Sequence, residues 1–285
     1  MGAALSQLLG WLIRPPQNTP GTATDQEVSL VVDTVREENR VTGIRGDDAK
    51  ARELEAIRNF LAMKRKDREN YPLPSYLAPH QNDINVALTG EAGTGKSSLM
   101  NVLLGTSQAR TGVVECTMAP RRYDIQADGA LAGKVHFWDL PGVGTMNFPA
   151  DRYIREMGMR YYDIVVLVTF NRIMQSNVEV VKELDRYKVP VVVVVNKMDD
   201  IVESAADDEG WDEDETFGYI RQQHVENFSR NGCPDVKLFL LSTRCIKKQP
   251  INASMNREWE RFRESLMMAV KDGRSYDAPA DLATI

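Results

Sequence analysis

A chain of 285 residues, 42% hydrophobic and 27% charged, carries enough apolar material for one large domain, or one domain with an appendage. Its net charge of −6 counts against a general nucleic-acid surface, which needs a basic footprint. Cys116, Cys233 and Cys245 lack metal-type spacing and point to a reduced compartment, the cytoplasm, without a disulfide frame; no apolar run approaches the roughly 20 residues of a spanning helix.

The first six residues, Met1-Gly2-Ala3-Ala4-Leu5-Ser6, fit the N-myristoylation pattern with Gly2 as acceptor. Leu8, Leu9, Trp11, Leu12 and Ile13 follow before Pro15-Pro16, so the segment reads as an interfacial anchor holding the protein peripherally on a membrane. An unmodified apolar end packed on the protein itself satisfies the same residues. Residues 17–24 are linker-like, which sets off 1–23 as an N-terminal segment. Thr24 and Glu27 have capping-box spacing, and Val28, Val31, Val32 and Val35 recur at helical intervals. After a break near Gly43 and Gly46, a second helix carries Leu54, Ile57 and Leu61 and ends at Tyr71-Pro72-Leu73-Pro74. This helical region, 24–81, is expected to dock on the domain spanning 82–273.

Within that domain strands and helices alternate, which predicts a mainly parallel sheet covered on both faces. The predicted strands are Ile84–Thr89, Arg122–Gln126, Lys134–Asp139, Ile164–Thr169, Val191–Asn196 and Val236–Leu241. The run Val191-Val192-Val193-Val194-Val195 is apolar throughout, as in a strand buried on both sides. Asp128-Gly129 is expected to turn a hairpin between the second and third strands. A helix is predicted over Ser176–Tyr187, with Ser176 and Glu179 at capping-box spacing. Another carries Phe217, Ile220 and Phe228, and the last carries Met255, Trp259, Phe262, Leu266 and Ala269 before Gly273. The tail 274–285 is expected to be loose.

Between the first strand and its helix stands Gly90-Glu91-Ala92-Gly93-Thr94-Gly95-Lys96-Ser97, followed by Ser98. Strand, glycine-rich turn and helix make a phosphate cradle whose N–H groups face an anion. Lys96 would reach the β- and γ-phosphates, and the Ser97 hydroxyl would bind Mg²⁺. The third strand ends in Asp139-Leu140-Pro141-Gly142, where Asp139 can hold the Mg²⁺ shell through water and the Gly142 N–H can turn toward the γ-phosphate. Asn196-Lys197-Met198-Asp199 follows the fifth strand. Asp199 can accept from the N1–H and N2–H₂ donors of guanine, a pair adenine does not present. Asn196 would contact the other edge of the base and tie the loop to the phosphate cradle, with the Lys197 stem along the ring. Ser242 and Thr243 would turn backbone N–H groups toward the guanine oxygen. These motifs, in this order, resemble those of a GTPase, which implies a three-layer α/β P-loop NTPase fold with a Ras-like G domain, a mostly parallel six-stranded sheet and an N-terminal helical appendage.

Two further stretches narrow the assignment. Thr111-Gly112-Val113-Val114-Glu115-Cys116-Thr117-Met118 resembles switch I of the immunity-related GTPases. The run from Phe137 to Pro149, with Trp138-Asp139-Leu140-Pro141-Gly142 and Asn147-Phe148-Pro149, looks like switch II of that family. The resemblance covers about Ile84 to Val270. Asn196-Lys197-Met198-Asp199 is the general guanine motif rather than the hydrophobic variant of that family, and no long C-terminal helical part follows Gly273. The resemblance implies GTP hydrolysed to GDP with Mg²⁺ held by Ser97 and Thr117, Thr111 near the nucleotide, and Glu115 orienting water. It also implies self-association in which nucleotides meet across a dimer interface. Val143 occupies the place where small GTPases put a water-orienting Gln, so unaided hydrolysis is expected to be slow. Glu115 is the only carboxylate near Thr117, though a solvated loop acid fits it as well. The acidic run from Glu203 to Glu215 reads as a solvated loop insertion, with a docking patch as the alternative. His80, His136 and His224 lie apart in sequence and read as structural.

Overall fold

The computed structural model describes residues 25–81, 83–105, 107, 109, 117–124, 135–144, 148, 150–187, 189–248 and 253–272. Gly2, the Thr24 cap, Thr111 and Glu115 of switch I, the Asp128-Gly129 turn and the tail 274–285 lie outside the described residues. The chain divides into two units, 1–73 and 74–285, so the boundary falls ahead of the one expected at 82.

In the first unit α1 (Asp25–Thr42) and α2 (Asp47–Asn70) pair through a tight turn. Gly43 and Gly46 take positive φ there, and Ile44 N–H closes onto Asn39 O. The buried Asn39 side chain holds the corner by donating to Ala49 O and accepting from Arg52.

The second unit is built on a six-stranded sheet of β1 (Ile84–Thr89), β2 (Arg121–Asp124), β3 (Val135–Asp139), β4 (Ile164–Thr169), β5 (Val191–Val195) and β6 (Lys237–Leu240). Their order is β2-β3-β1-β4-β5-β6, and only β2 runs antiparallel. β1 and β4 are buried along their whole length, which accounts for their near-continuous apolar sequence. Helices α3 (Lys96–Leu104), α4 (Ala150–Glu156), α5 (Gln175–Arg186), α6 (Met198–Glu209), α7 (Glu213–Arg230), α8 (Thr243–Lys247) and α9 (Ala253–Asp272) cover it. From β1 the chain leads on one side to β3 and on the other to β4. Such a switch point opens a crevice at the carboxyl ends of the strands, and the glycine-rich loop sits in it.

Two local expectations are corrected. The acidic run is no loop insertion: Glu203 to Glu209 complete α6, Gly210 caps it at positive φ, and Asp212 caps α7. Asp212 accepts from Glu215 N–H (2.9 Å) while its own N–H donates to the Glu215 carboxylate (3.0 Å), a reciprocal cap for which acidic residues are well suited. α5 begins one residue earlier than Ser176, and its cap is Asn177 Oδ1 accepting from Met174 N–H (2.9 Å). Among the described residues no helix is long and apolar enough to cross a membrane.

Candidate functional site

The phosphate loop owes its path to glycine at two places. A Cβ on Gly90, which has φ +133°, would lie 1.9 Å from Val168 O; one on Gly95, at φ +94°, would lie 2.3 Å from Asn196 Nδ2. Gly90→Ala must move β4 or the loop. Its unfolding free energy is expected to fall by about 3 kcal/mol, read as a drop of roughly 10 °C in a thermal melt. Thr94 braces the loop by donating to Glu91 O (3.0 Å). The N-cap of α3 is Gly95, which has no side chain to satisfy the first-turn amides, so they face the crevice mouth. Lys96, 6% exposed, lays its ammonium across the loop, donating to Gly90 O (3.0 Å) and Glu91 O (2.8 Å). Ala92 and Gly93 form the outer turn, and Ser98 continues the first turn of α3.

Three hard oxygens converge beside Lys96. Ser97 Oγ donates to Asp139 Oδ2 at 2.7 Å and Thr117 Oγ1 donates to the same atom at 3.2 Å. Asp139 is 1% exposed, and its Oδ1 has no hydrogen-bond partner among the described residues. Burial pushes its carboxyl above the ordinary range, opposed by the Ser97 bond and the Lys96 charge. Two hydroxyls and a buried carboxylate with an unmatched oxygen are the donor set of a small divalent cation such as Mg²⁺. Gly142 packs directly on the loop: a Cβ there would lie 2.8 Å from the Ala92 nitrogen. The next residue, Val143, donates its N–H to Gly90 O (3.2 Å).

The base-reading residues gather at the ends of β5 and β6. Asn196, fully buried, donates to Thr94 O (2.9 Å) and accepts from Thr243 N–H (3.1 Å), joining the loop after β5 to both the phosphate loop and α8. Lys197 takes φ +61°, and its ammonium stands 5.0 Å from the centre of the Phe170 ring. Asp199 opens α6, and its Oδ1 accepts from Ser242 Oγ at 2.6 Å. Gly90 to Ser98, Gly142, Asp139, Thr117, Asn196, Lys197, Asp199, Ser242 and Thr243 therefore share one face; Thr111 and Glu115 lie outside the described residues.

Several contributors had no motif to announce them. Tyr153 on α4 donates to Pro141 O and bonds Thr89 Oγ1, both at 2.8 Å, fastening the end of β1 to the turn before Gly142. Arg244 places a guanidinium 3.6 Å from Asp199 Oδ2. Ser176 Oγ and Asn177 Nδ2 both donate to Glu91 Oε1 at 2.8 Å, so the phosphate loop is anchored to the start of α5. Beside these contacts Glu91 to Thr94, Phe170 to Arg172 and Met174 line an open pocket. Position after a strand end was the available signal for Phe170 and Arg244; Tyr153 offered none.

Comparison with known proteins follows the same residues. Residues 77–250 match the family model described as Interferon-inducible GTPase (IIGP). Interferon-inducible GTPase 1 of Mus musculus is 34% identical over 170 residues, covering 57% of this chain and 40% of that protein. Interferon-inducible GTPase 5 of Rattus norvegicus is 31% identical over 198 residues, covering 67% of this chain and 42% of that one. The chain thus spans about two fifths of the length of these curated relatives. A dimerization-deficient mutant of Toc33 from Arabidopsis thaliana shares the fold at a TM-score of 0.53 and 13% identity, over 75% of this chain and 93% of that one.

Proposed function

Because the chain belongs to the interferon-inducible GTPase family, we propose that it binds GTP on this face and hydrolyses it to GDP and phosphate as a conformational switch. The observation that carries the reading is Asn196, whose one side chain ties the phosphate loop at Thr94 to the end of β6 at Thr243. That tie sets the Asp199 carboxylate at a fixed span from Lys96, which is what recognition of a base and its triphosphate together requires. Phosphoryl transfer calls for positioned charge more than covalent chemistry. Lys96 and the α3 amides hold the β- and γ-phosphates, and Asp199 accepts from the guanine edge. Ser97, Thr117 and, through water, Asp139 would hold Mg²⁺, which when bound neutralises the phosphate oxygens. The Gly142 N–H follows the γ-phosphate, and its packing on Ala92 couples that contact to the loop.

Val143 is 3% exposed and apolar, so it cannot orient the attacking water. Glu115 takes that part, and self-association through the nucleotide face brings it into register. The apolar N-terminus with Gly2 as acyl acceptor holds a cytoplasmic protein peripherally on a membrane; intact mass of the protein from a eukaryotic host reads the added chain directly. Chromatography of the nucleotide released by denaturation should give GDP or GTP, and ATP in its place overturns the reading. Turnover per molecule should rise with protein concentration and fall in Glu115→Ala by about 10²-fold, the scale of one general-base contribution. A flat, near-zero rate in the parent protein supports instead a nucleotide-dependent scaffold, the reading that the buried Val143 favours.

A further inference from the structure

At the end of the sheet away from the phosphate loop, three side chains close on one point. His80 ends the short 3₁₀ turn Ala78–His80, Asp83 stands just before β1, and His136 lies in β3 opposite Asn85 of β1. Their distance in sequence concealed this, and the reading of the three histidines as separate is corrected for His80 and His136. His224 does stand apart, its Nδ1 bonded to Ile220 O (2.9 Å) inside α7. Asp83 Oδ2 lies 3.0 Å from His136 Nε2 and 3.4 Å from His80 Nδ1. The two imidazole rings meet at 4.6 Å between centroids and 64° between planes, and one ligand atom from each of the three residues falls within 4.8 Å of the others. Ligands bound to zinc at roughly 2.1 Å stand about 3.4 Å from one another in a tetrahedron. Asp83 Oδ2 already stands near that distance from both imidazole nitrogens.

A second observation concerns the far side of His136. Asp124 Oδ1 lies 2.7 Å from His136 Nδ1, so both ring nitrogens of a side chain only 5% exposed face carboxylate oxygens. A neutral imidazole has one N–H and can satisfy only one of them; the other contact sets lone pair against lone pair. A metal ion between His136 Nε2 and Asp83 Oδ2 would relieve that contact, leaving the ring N–H at Nδ1 for Asp124. On the Asp83 side the ligand set is enlarged by His80, and a carboxylate such as Asp124 on the remote nitrogen is how metal-binding histidines are held. We propose that His80 Nδ1, Asp83 Oδ2 and His136 Nε2 bind a Zn²⁺ ion, with solvent water as fourth ligand. The ion staples residues 78–83 to the β2–β3 edge of the sheet. Arg122 opposes it. Its guanidinium bonds Asp124 (3.0 and 3.2 Å) and touches the His80 ring, placing a positive charge beside the cation.

The untagged full chain, stripped by chelator and dialysed against Zn²⁺ with Mg²⁺ in excess, should retain about one zinc per chain by atomic emission. Co²⁺ in its place should show the visible bands of a four-coordinate ion. His80→Gln at the rim and Asp83→Asn should each weaken binding by more than about tenfold, and Asp124→Asn by about 10–100-fold, with circular dichroism unchanged. Arg122→Gln should bind more tightly than the parent. Retention below about a tenth of an ion per chain, or binding that persists unchanged in His80→Gln, overturns the proposal.

Discussion

Lys96→Ala is expected to lower affinity for guanine nucleotides by at least about a hundredfold. The ammonium is almost wholly buried and already lies at the mouth of the loop, on the carbonyls of Gly90 and Glu91. On the proposed reading it would meet a β- or γ-phosphate oxygen there. Each charge-assisted bond is worth about 1.5–3 kcal/mol. Two such bonds lost are about 3–6 kcal/mol, or 10²–10⁴ in the dissociation constant at 1.4 kcal/mol per tenfold. Neither carbonyl is orphaned in the variant, because Gly90 O keeps the Val143 N–H (3.2 Å) and Glu91 O keeps the Thr94 hydroxyl (3.0 Å), so the fold should persist. Titration of a fluorescent GDP analogue measures the loss, with circular dichroism as the check on folding. Parent-like affinity in this variant would falsify the cradle.

Asp199→Asn should exchange one base for another rather than abolish binding. The carboxylate has about four acceptor sites. Ser242 Oγ occupies one of them at 2.6 Å, and Arg244 stands 3.6 Å from the other oxygen. Two acceptors remain for the adjacent N1–H and N2–H₂ donors of guanine. An asparagine amide turns one acceptor into a donor and sets it against N2–H₂, at a cost of about 3 kcal/mol or roughly 10²-fold. Xanthine carries a carbonyl at that carbon and matches the amide, so xanthosine diphosphate should bind the variant more tightly than GDP does. Competition between the two nucleotides reads the exchange. Equal loss of both would mean that Asp199 is a structural cap of α6 and does not face the base.

What could be read in the sequence, and what could not, follows one physical division. The phosphate loop, the acid closing β3 and the Asn-Lys-x-Asp turn are local: a few consecutive residues set a backbone path, and their spacing suffices to place them. The strands were legible for the same reason, with β5 one residue shorter than expected at its end and β6 one residue shorter at each end. Contacts made across the fold were hidden. Tyr153 reaches Thr89 and Pro141 from α4, Glu91 reaches α5, and His136 meets His80 only when β3 pairs with β1. The acidic stretch misled because repelling charges suggest an open loop, yet Asp212 and Glu215 spend their charge on the amides that begin α7. Ser176 misled likewise: its hydroxyl, which could have capped α5, bonds Glu91 instead.

Gly95 and Asn196 carry a consequence for how such a protein can change over generations. The amide of Asn196 fills the space where any other residue at 95 would put its first side-chain carbon, so neither position can drift without the other. Grafting a β5 tip from an adenine-reading cousin onto this phosphate loop would import a mismatch in shape before any question of base preference arose. New ligand tastes in this lineage should therefore emerge at the rim, at Asp199, Ser242 or Arg244, while the hinge between the two halves of the pocket stays frozen.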